Sequence, residues 1–352
     1  MKKILRKSII SVAVLTFMLS SALVLTHEAS AAGEKRVAIT WLATPVGSDG
    51  YNFASALADI IKKNHSSIKP SVIETMGGVE GMKMMSDMPS DKRQLHMATG
   101  VGAILNLARL GKGPFGKTGK IDGWRILFTM YNVTPHIMTL DPEIKTGYDL
   151  VGKRVGFPPR QHGLAKDGAF LLGNVWGIED KVKKIYMPMD LQKDALLDGT
   201  VDAVCAGGMY LSKNEFKVSP NNEVILASRK NVYFIGVDRK DGDKVRAKFP
   251  TATLTWAPIK AGALRPGYPA KDLGIMIQAN TVYVWEDMSV ARAYEITKVA
   301  AENADQVKGY FALGKAFAPG NMVLNAWGPK WYHPGALKYY QEANLKPTGT
   351  VN

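Results

Sequence analysis

One cysteine, Cys205, is all that the 352 residues contain, so no disulfide can form within the chain and stability has to come from the core. It sits in Val201-Asp-Ala-Val-Cys-Ala206, the context of a buried strand, where an inert thiol is expected. Long apolar runs are as scarce. After Ile9 to Leu25 no second stretch is long enough to span a membrane. Gly-x-Ser-x-Gly is missing, and no activated cysteine or paired-carboxylate constellation stands out. The histidines His65, His96, His136, His162 and His333 are scattered without metal-ligand spacing, so neither a metal nor a cofactor is expected. Lys112-Gly-Pro-Phe-Gly-Lys-Thr-Gly119 has its glycines and lysine in the wrong order for a phosphate loop.

What is present is an ordinary globular composition, 46% hydrophobic and 22% charged, in a chain long enough for two packed domains. Lys2, Lys3, Arg6 and Lys7 precede the apolar run, and Ala29-Ser-Ala31 follows it. Residues 1–31 therefore read as a secretory signal cleaved near Ala31, and the mature protein is expected to be soluble in the periplasm. The formal net charge is +14, and without residues 1–31 it is +11, which favours anionic ligands or a membrane surface. Nucleic acid is not the expected partner, because the basic residues are spread along the chain with no aromatic-interleaved groove.

The most informative stretch is a short apolar strand, Arg36 to Ala43, a turn Thr44-Pro-Val-Gly-Ser-Asp-Gly50, and a helix from Tyr51 to Lys63 with Phe53, Leu57, Ile60 and Ile61 on one side. A helix start after such a turn favours anions, although the glycines could equally serve turn geometry alone. The unit recurs. Lys69 to Thr75, Met76-Gly77-Gly78 and Val79 to Met85 form the second, and Gln94 to Thr99, Gly100 and Val101 to Leu110 the third. Strand, glycine turn and helix in this rhythm predict a parallel sheet flanked by helices, with the three turns on one edge, where ligands collect.

Trp124 to Tyr131 and His136 to Leu140 read as two extended stretches separated by Asn132-Val-Thr-Pro135. A strand ending at Phe157, the turn Pro158 to Gly163 and a helical pattern through Trp176 look like the opening unit repeated. Next come an extended Lys183 to Met187, a helical Leu191 to Leu197, and a buried strand Val201 to Ala206 that ends in Gly207-Gly208-Met209. Glu223 to Ala227, Val232 to Val237 and Ile275 to Trp285 read as extended, and Ser289 to Glu302 and Pro334 to Ala343 as helices. The fold expected is α/β and two-lobed, each lobe a mainly parallel sheet, with turns that could face each other.

With these landmarks in order, the chain resembles the TAXI-type solute receptors of tripartite ATP-independent periplasmic (TRAP) transporters. They are Gly47-Ser-Asp-Gly-Tyr51, Thr75-Met-Gly-Gly-Val-Glu80, Gly113-Pro-Phe115, Tyr131 to Leu140, Asp149-Leu-Val-Gly-Lys-Arg-Val155, Leu197-Asp-Gly-Thr-Val-Asp-Ala203, Ala293 to Lys298 with Glu302-Asn303, and His333 to Tyr340. The resemblance implies a periplasmic-binding-protein-like fold of type II: lobe 1 from 32–137 and 277–352, lobe 2 from 138–276, closing over a small organic anion and presenting it to a TRAP permease. A monomer is expected. Where amino-acid-binding members carry a Pro-Gly-Ser-Gly-Thr-like turn, this chain has Pro159-Arg-Gln-His-Gly163, and Thr99-Gly-Val101 replaces a Gln-Ser-Asp triplet.

The ligand-binding candidates are accordingly Gly47, Ser48, Asp49 and Tyr51 in the first turn, Met76 and Gly77 in the second, and Thr99 and Val101 in the third. Tyr131, then Arg160, Gln161, His162 and Gly163, and finally Gly207, Gly208 and Met209 complete the set. Each has a bland counterpart. Ser48 can cap a helix, Arg160 and His162 can be exposed loop residues, and Tyr131 and His136 can pack a hinge. The rival function is a secreted α/β enzyme using Ser48 and His162 across the cleft, for which no orienting acid is evident.

Overall fold

Val37–Ala43 forms β1 and feeds α1 (Asp49–Asn64), on which Phe53, Leu57, Ile60 and Ile61 are fully buried, as their spacing predicts. This computed structural model describes residues 36–347 and Gly349 apart from Gly47, Gln161, Lys230 and 249–252, and only the backbone of Pro220, Arg246 and Ala247. The expected signal sequence lies outside the described residues. β2 (Ile68–Glu74) and, after α2 (Gly78–Asp87), β3 (His96–Val101) pair with β1 on either side, both parallel. The three strands therefore end at one edge, where α1, α2 and α3 (Gly102–Leu110) begin.

β4 (Trp124–Thr139) is a single strand of 16 residues where two were expected. Pro135 does not interrupt it, because the ladder on one flank lapses there: pairing with β11 (Leu273–Trp285) ends at Val133 and pairing with β9 (Tyr233–Ile235) starts at Ile137. A residue without an N–H is tolerated at such a gap. β5 (Arg154–Phe157) leads through α4 (Gly163–Phe170), which widens into a π-helical turn at Leu171–Val175, to β6 (Lys183–Tyr186). Then α5 (Met189–Leu197) returns the chain to β7 (Ala203–Ser212).

β7 does not end at Ala206 as expected but continues through Gly207, Gly208 and Met209, because it pairs with β4 on one side and with β8 (Glu215–Val218) on the other. Glu223 to Ala227, expected to be extended, lies in helix α6 (Pro220–Ser228). Proline at its first position and Ser219 as cap set the helix, and Ile225 and Leu226 turn inward while Val224 stays 43% exposed. After α7 (Arg239–Lys248), β10 (Leu254–Ile259) runs antiparallel to β11. Helices α8 (Val290–Glu302) and α9 (Pro334–Glu342) complete the elements used below.

The strand order is β2-β1-β3-β11-β4-β7-β5-β6. β11 is antiparallel to both β3 and β4, and β4 is antiparallel to β7, so the centre of the sheet is mixed. These reversals mean that β1 to β3 run one way and β5 to β7 the other. The carboxyl ends of the two parallel sets consequently point at each other across the middle of the sheet.

The core falls into separate clusters. One joins Trp41, Phe53, Phe128 and Tyr283 to Trp327 and Tyr340 near the C-terminus. Another gathers Phe157, Leu172, Cys205 and Met276, and a third Val204, Phe216 and Ile277. Cys205 is fully buried and burial pushes its thiol pKa up, in keeping with the inert thiol expected. It packs on Gly168, where an added Cβ would stand 2.3 Å from Cys205 Sγ and 2.7 Å from Phe157. Alanine should gain on the order of 1 kcal/mol in helix propensity but lose about 1–3 kcal/mol to overpacking. Gly168→Ala is therefore expected to lower the urea unfolding midpoint, and an equal or higher midpoint contradicts this packing.

Candidate functional site

Tyr131 lies directly opposite Asn280 across the β4–β11 ladder, and Val133 opposite Gln278. With a side-chain period of two, all four share one face of the sheet. Because Asn280 pairs with Tyr131 and Thr281 with Thr129, Met130 is an extra, unpaired residue. Such a bulge re-aims the side chains beside it. On this face Phe53 of α1 stacks on Tyr131, ring centroids 4.7 Å apart, and Asp167 of α4 accepts a hydrogen bond from Gln278 Nε2 at 2.8 Å. The Leu164 carbonyl accepts from the Cys205 thiol at 3.6 Å. Helices α1 and α4, one from each end of the sheet, therefore lie on the same face. Each starts at the carboxyl end of its own strand, so their N-termini border a common gap floored by Tyr131, Val133, Gln278, Asn280, Gly207 and Met209.

Both helix starts are capped from within. Ser48 Oγ accepts from Tyr51 N–H at 3.3 Å and donates to the Pro45 carbonyl at 2.6 Å, and His162 Nδ1 accepts from Leu164 N–H at 3.1 Å. Asp49 and His162 are exposed, yet surrounding protein mass raises the Asp49 pKa and lowers that of His162. Groups open to water but hemmed by protein are what the walls of a cleft present. Burial first, and then the charge of Asp49, raise the Tyr131 hydroxyl pKa, which places that carboxylate near the phenol. Arg160 is exposed, its guanidinium 4.0 Å from the Tyr186 ring centroid, and has no ion-pair partner among the described residues.

Of the expected residues, the structure brings Ser48, Asp49, Tyr51, Tyr131, His162, Gly163, Gly207 and Met209 to this gap or its walls, and Val101 sits beside Asn280 in the β3–β11 ladder. Met76, 88% exposed, and Gly77, the cap of α2 at φ +124°, lie on the rim. Thr99 shares this face, two residues before Val101 and opposite Val282, but is buried and accepts from Trp41 Nε1 at 3.0 Å. Gly208 occupies the opposite face against β8, where an added Cβ would stand 2.4 Å from the Lys217 carbonyl. Gly47 and Gln161 are outside the described residues.

The amides of Val46 and Met76 are already taken by Glu74 (2.7 Å) and Glu80 (2.6 Å), so they are not free donors for a ligand. Sequence reasoning missed Asp167, Gln278 and Asn280. The signal was Gln278 and Asn280, two residues apart in a buried strand whose other residues, Thr281 aside, are mainly apolar.

His136 is core: it is 2% exposed beside Phe216 and Phe234 and lines an apolar void of about 10 Å³. A depression of about 370 Å³ between Asp122, Arg125, Glu286, Lys330 and Trp331 lies at the far end of β4, and Arg125 and Glu286 there neutralise each other at 2.6 Å. Neither meets the gap between the helix starts.

Comparison with known proteins points the same way for the fold. A family model described as the NMT1-like family matches residues 42–343. A structure described as the periplasmic sulfonate-binding protein SsuA of a sulfonate ABC transporter from Methylobacillus flagellatus KT is 13% identical, covers 91% of this chain and 98% of its own, and superposes with a TM-score of 0.50. A TctC solute-binding protein from Polaromonas, solved without ligand, is 12% identical over 90% of each chain with a TM-score of 0.45. The architecture is the mixed α/β periplasmic-binding-protein fold of type II.

Burial holds the His136 imidazole neutral, its pKa lowered from 6.5 to about 4. A depressed folded-state pKa contributes stability that is fully present above pH 6.5 and is lost as pH falls toward 4. His136 is thus expected to titrate near 4 by NMR, and His136→Leu to remove that part of the acid destabilisation. A midpoint near 6.5 contradicts its assignment to the core.

Proposed function

The chain belongs to the NMT1-like family, and we propose that it is an extracytoplasmic solute receptor that closes over a small organic anion and delivers it to a membrane permease. The observation that carries this reading is the shared gap: two helix N-termini, one from each half of the sheet, border one floor built on strands that run between the halves. Helix N-termini attract negative charge, and the guanidinium of Arg160, stacked on Tyr186 and without an ion-pair partner among the described residues, adds a full positive charge beside one of them. The lobes are taken as 32–137 with 277–352, and 138–276, moving about β4 and β11. A ligand shifts that equilibrium by as much as it prefers the closed form. The exported location rests on the signal read in residues 1–31, and a TRAP-type permease as partner rests on the resemblance of the turn and strand landmarks to TAXI receptors.

An enzymatic role has less support. Ser48 Oγ and His162 Nδ1 are both engaged in capping, and among the described residues no hydrogen bond joins them. A nucleophile and its base need that contact.

The test is calorimetry and thermal unfolding of ligand-stripped protein against a panel of small carboxylates and sulfonates. A true ligand at about 100 times its Kd should stabilise the fold by about 2.7 kcal/mol. Arg160→Ala should weaken its binding by about 10-fold or more. A panel without any response, or turnover of a bound compound, would sink this reading.

A further inference from the structure

At the end of the sheet remote from the gap, the molecule carries a charge pattern that the receptor reading does not use. β4 is antiparallel to β11 and β11 to β3, while β3 is parallel to β1, so β4 and β1 run the same way and start at that one end. The loop 111–120, between α3 and β4, lies there. Its ends touch: the Ile121 N–H donates to the Ala108 carbonyl at 2.9 Å, and a Cβ on Gly111, at φ +61°, would stand 2.8 Å from the Gly119 carbonyl carbon. Phe115, fully buried, pins its middle, and the N–H groups of Gly116 and Gly119 close its turns on the Gly113 and Phe115 carbonyls. A compact loop held this way presents its side chains from a fixed backbone, so little order is left to lose on contact. Those side chains are basic. Lys112, Lys117 and Lys120 are exposed, and none of their ammonium groups has an ion-pair or hydrogen-bond partner among the described residues. From Arg109 to Arg125 five basic residues accompany one acid, Asp122. Lys330, also exposed, shares the depression of about 370 Å³ with Asp122 and stands 5.5 Å from the Trp331 ring centroid. The nearby acids Glu286 and Asp287 are already paired, with Arg125 at 2.6 Å and Arg93 at 2.7 Å.

We propose that this end of the molecule, centred on Lys112, Lys117 and Lys120 with Lys330 beside them, docks on a membrane surface bearing anionic lipids. Unpaired cations on a fixed loop fit a polyanion, and the chain itself favours a bilayer over an acidic protein. The apolar run Ile9 to Leu25 enters the fold through β1, at this same end, and the eleven residues 26–36 between them reach at most about 40 Å. Until the expected cleavage near Ala31, the loop is therefore tethered within reach of lipid. After it, the lysines remain as the means of return, each adding a similar increment of attraction. The gap lies at the other ends of the same strands, so contact with lipid leaves it open to solute. The receptor would thus be concentrated beside its membrane partner without its site being covered.

The experiment is co-sedimentation of the chain from residue 32 with vesicles containing phosphatidylglycerol, against vesicles of phosphatidylcholine alone. Binding is expected to the anionic vesicles only, and to be lost between about 0.1 M and about 1 M salt as screening shortens. Lys112→Gln, Lys117→Gln and Lys120→Gln in one chain should lower the partition coefficient about 100-fold or more. The same change at Lys181, Lys183 and Lys271, exposed lysines of residues 138–276, should lower it less than about 10-fold. Both variants are checked by circular dichroism, and the salt dependence of the unaltered chain needs neither. Because Cys205 is buried, a fluorophore on Thr118→Cys should respond to the vesicles and one on Ser228→Cys should not. No binding to anionic vesicles, equal binding to both kinds, or equal losses in the two triple variants overturns the proposal. Retention on immobilised polyglutamate but not on vesicles gives the surface to an acidic protein and overturns it too. None of these outcomes bears on the receptor reading, which calorimetry with small acids decides.

Discussion

The antiparallel pairing of β4 with β11 is the constraint on which the rest depends. Along residues 124–133 of one and 278–285 of the other the two strands form a ladder that shifts register twice, and beyond it each acquires new partners, β9 and β7 for β4, β10 for β11. One pair of strands thus belongs to both ends of the sheet. Because the two parallel sets attach to it in opposite directions, their helix-bearing edges are made to face each other. Everything at the candidate site follows: helices α1 and α4 on one face, their starts across a common floor, and on that floor the side chains of the pair itself.

The opposite face is treated differently. Asn132, the neighbour of Tyr131, projects to that side and gives its Nδ2 to the Leu324 carbonyl, Asn321 bonds the Leu211 carbonyl, and Lys315 pairs with Glu215 of β8. The chain near its C-terminus thereby straps the back of the crossing strands. The exposed ion pair adds little by itself. On both faces a buried amide oxygen is left without a partner in the described structure, Asn132 Oδ1 on this side and Asn280 Oδ1 on the other.

Much of this was legible in the sequence because local signals agreed. The strand, turn and helix units at 36–64, 69–85 and 94–110 fell within a few residues of their expected bounds, since apolar period and turn residues point to the same elements there. What was not legible depended on partners remote in sequence. Pro135 reads as a break, and only the lapse between β11 and β9 explains a continuous strand. Gly207 to Met209 read as the end of a strand, but β8 pairs that segment into β7. At the site, the turn residues could be named, while Asp167, Gln278 and Asn280 could not. Their meaning comes from sharing a face, which requires the register of a ladder spanning some 150 residues of chain, Tyr131 to Asn280.

Electrostatics at the rim also needed coordinates. Glu74 and Glu80 reach back to the turn amides of Val46 and Met76, so the second and part of the first turn are satisfied by the protein's own carboxylates. The proposed attraction for an anion therefore rests on the starts of α1 and α4 and on Arg160. Backbone amide NMR of isotopically labelled, ligand-stripped protein titrated with a binding acid tests this most directly. The account predicts that the amides of Asp49 and Gly50 and those of Gly163 and Leu164 shift together at one saturation point. Shifts confined to one helix start, or centred on the Arg125–Glu286 depression, would contradict it.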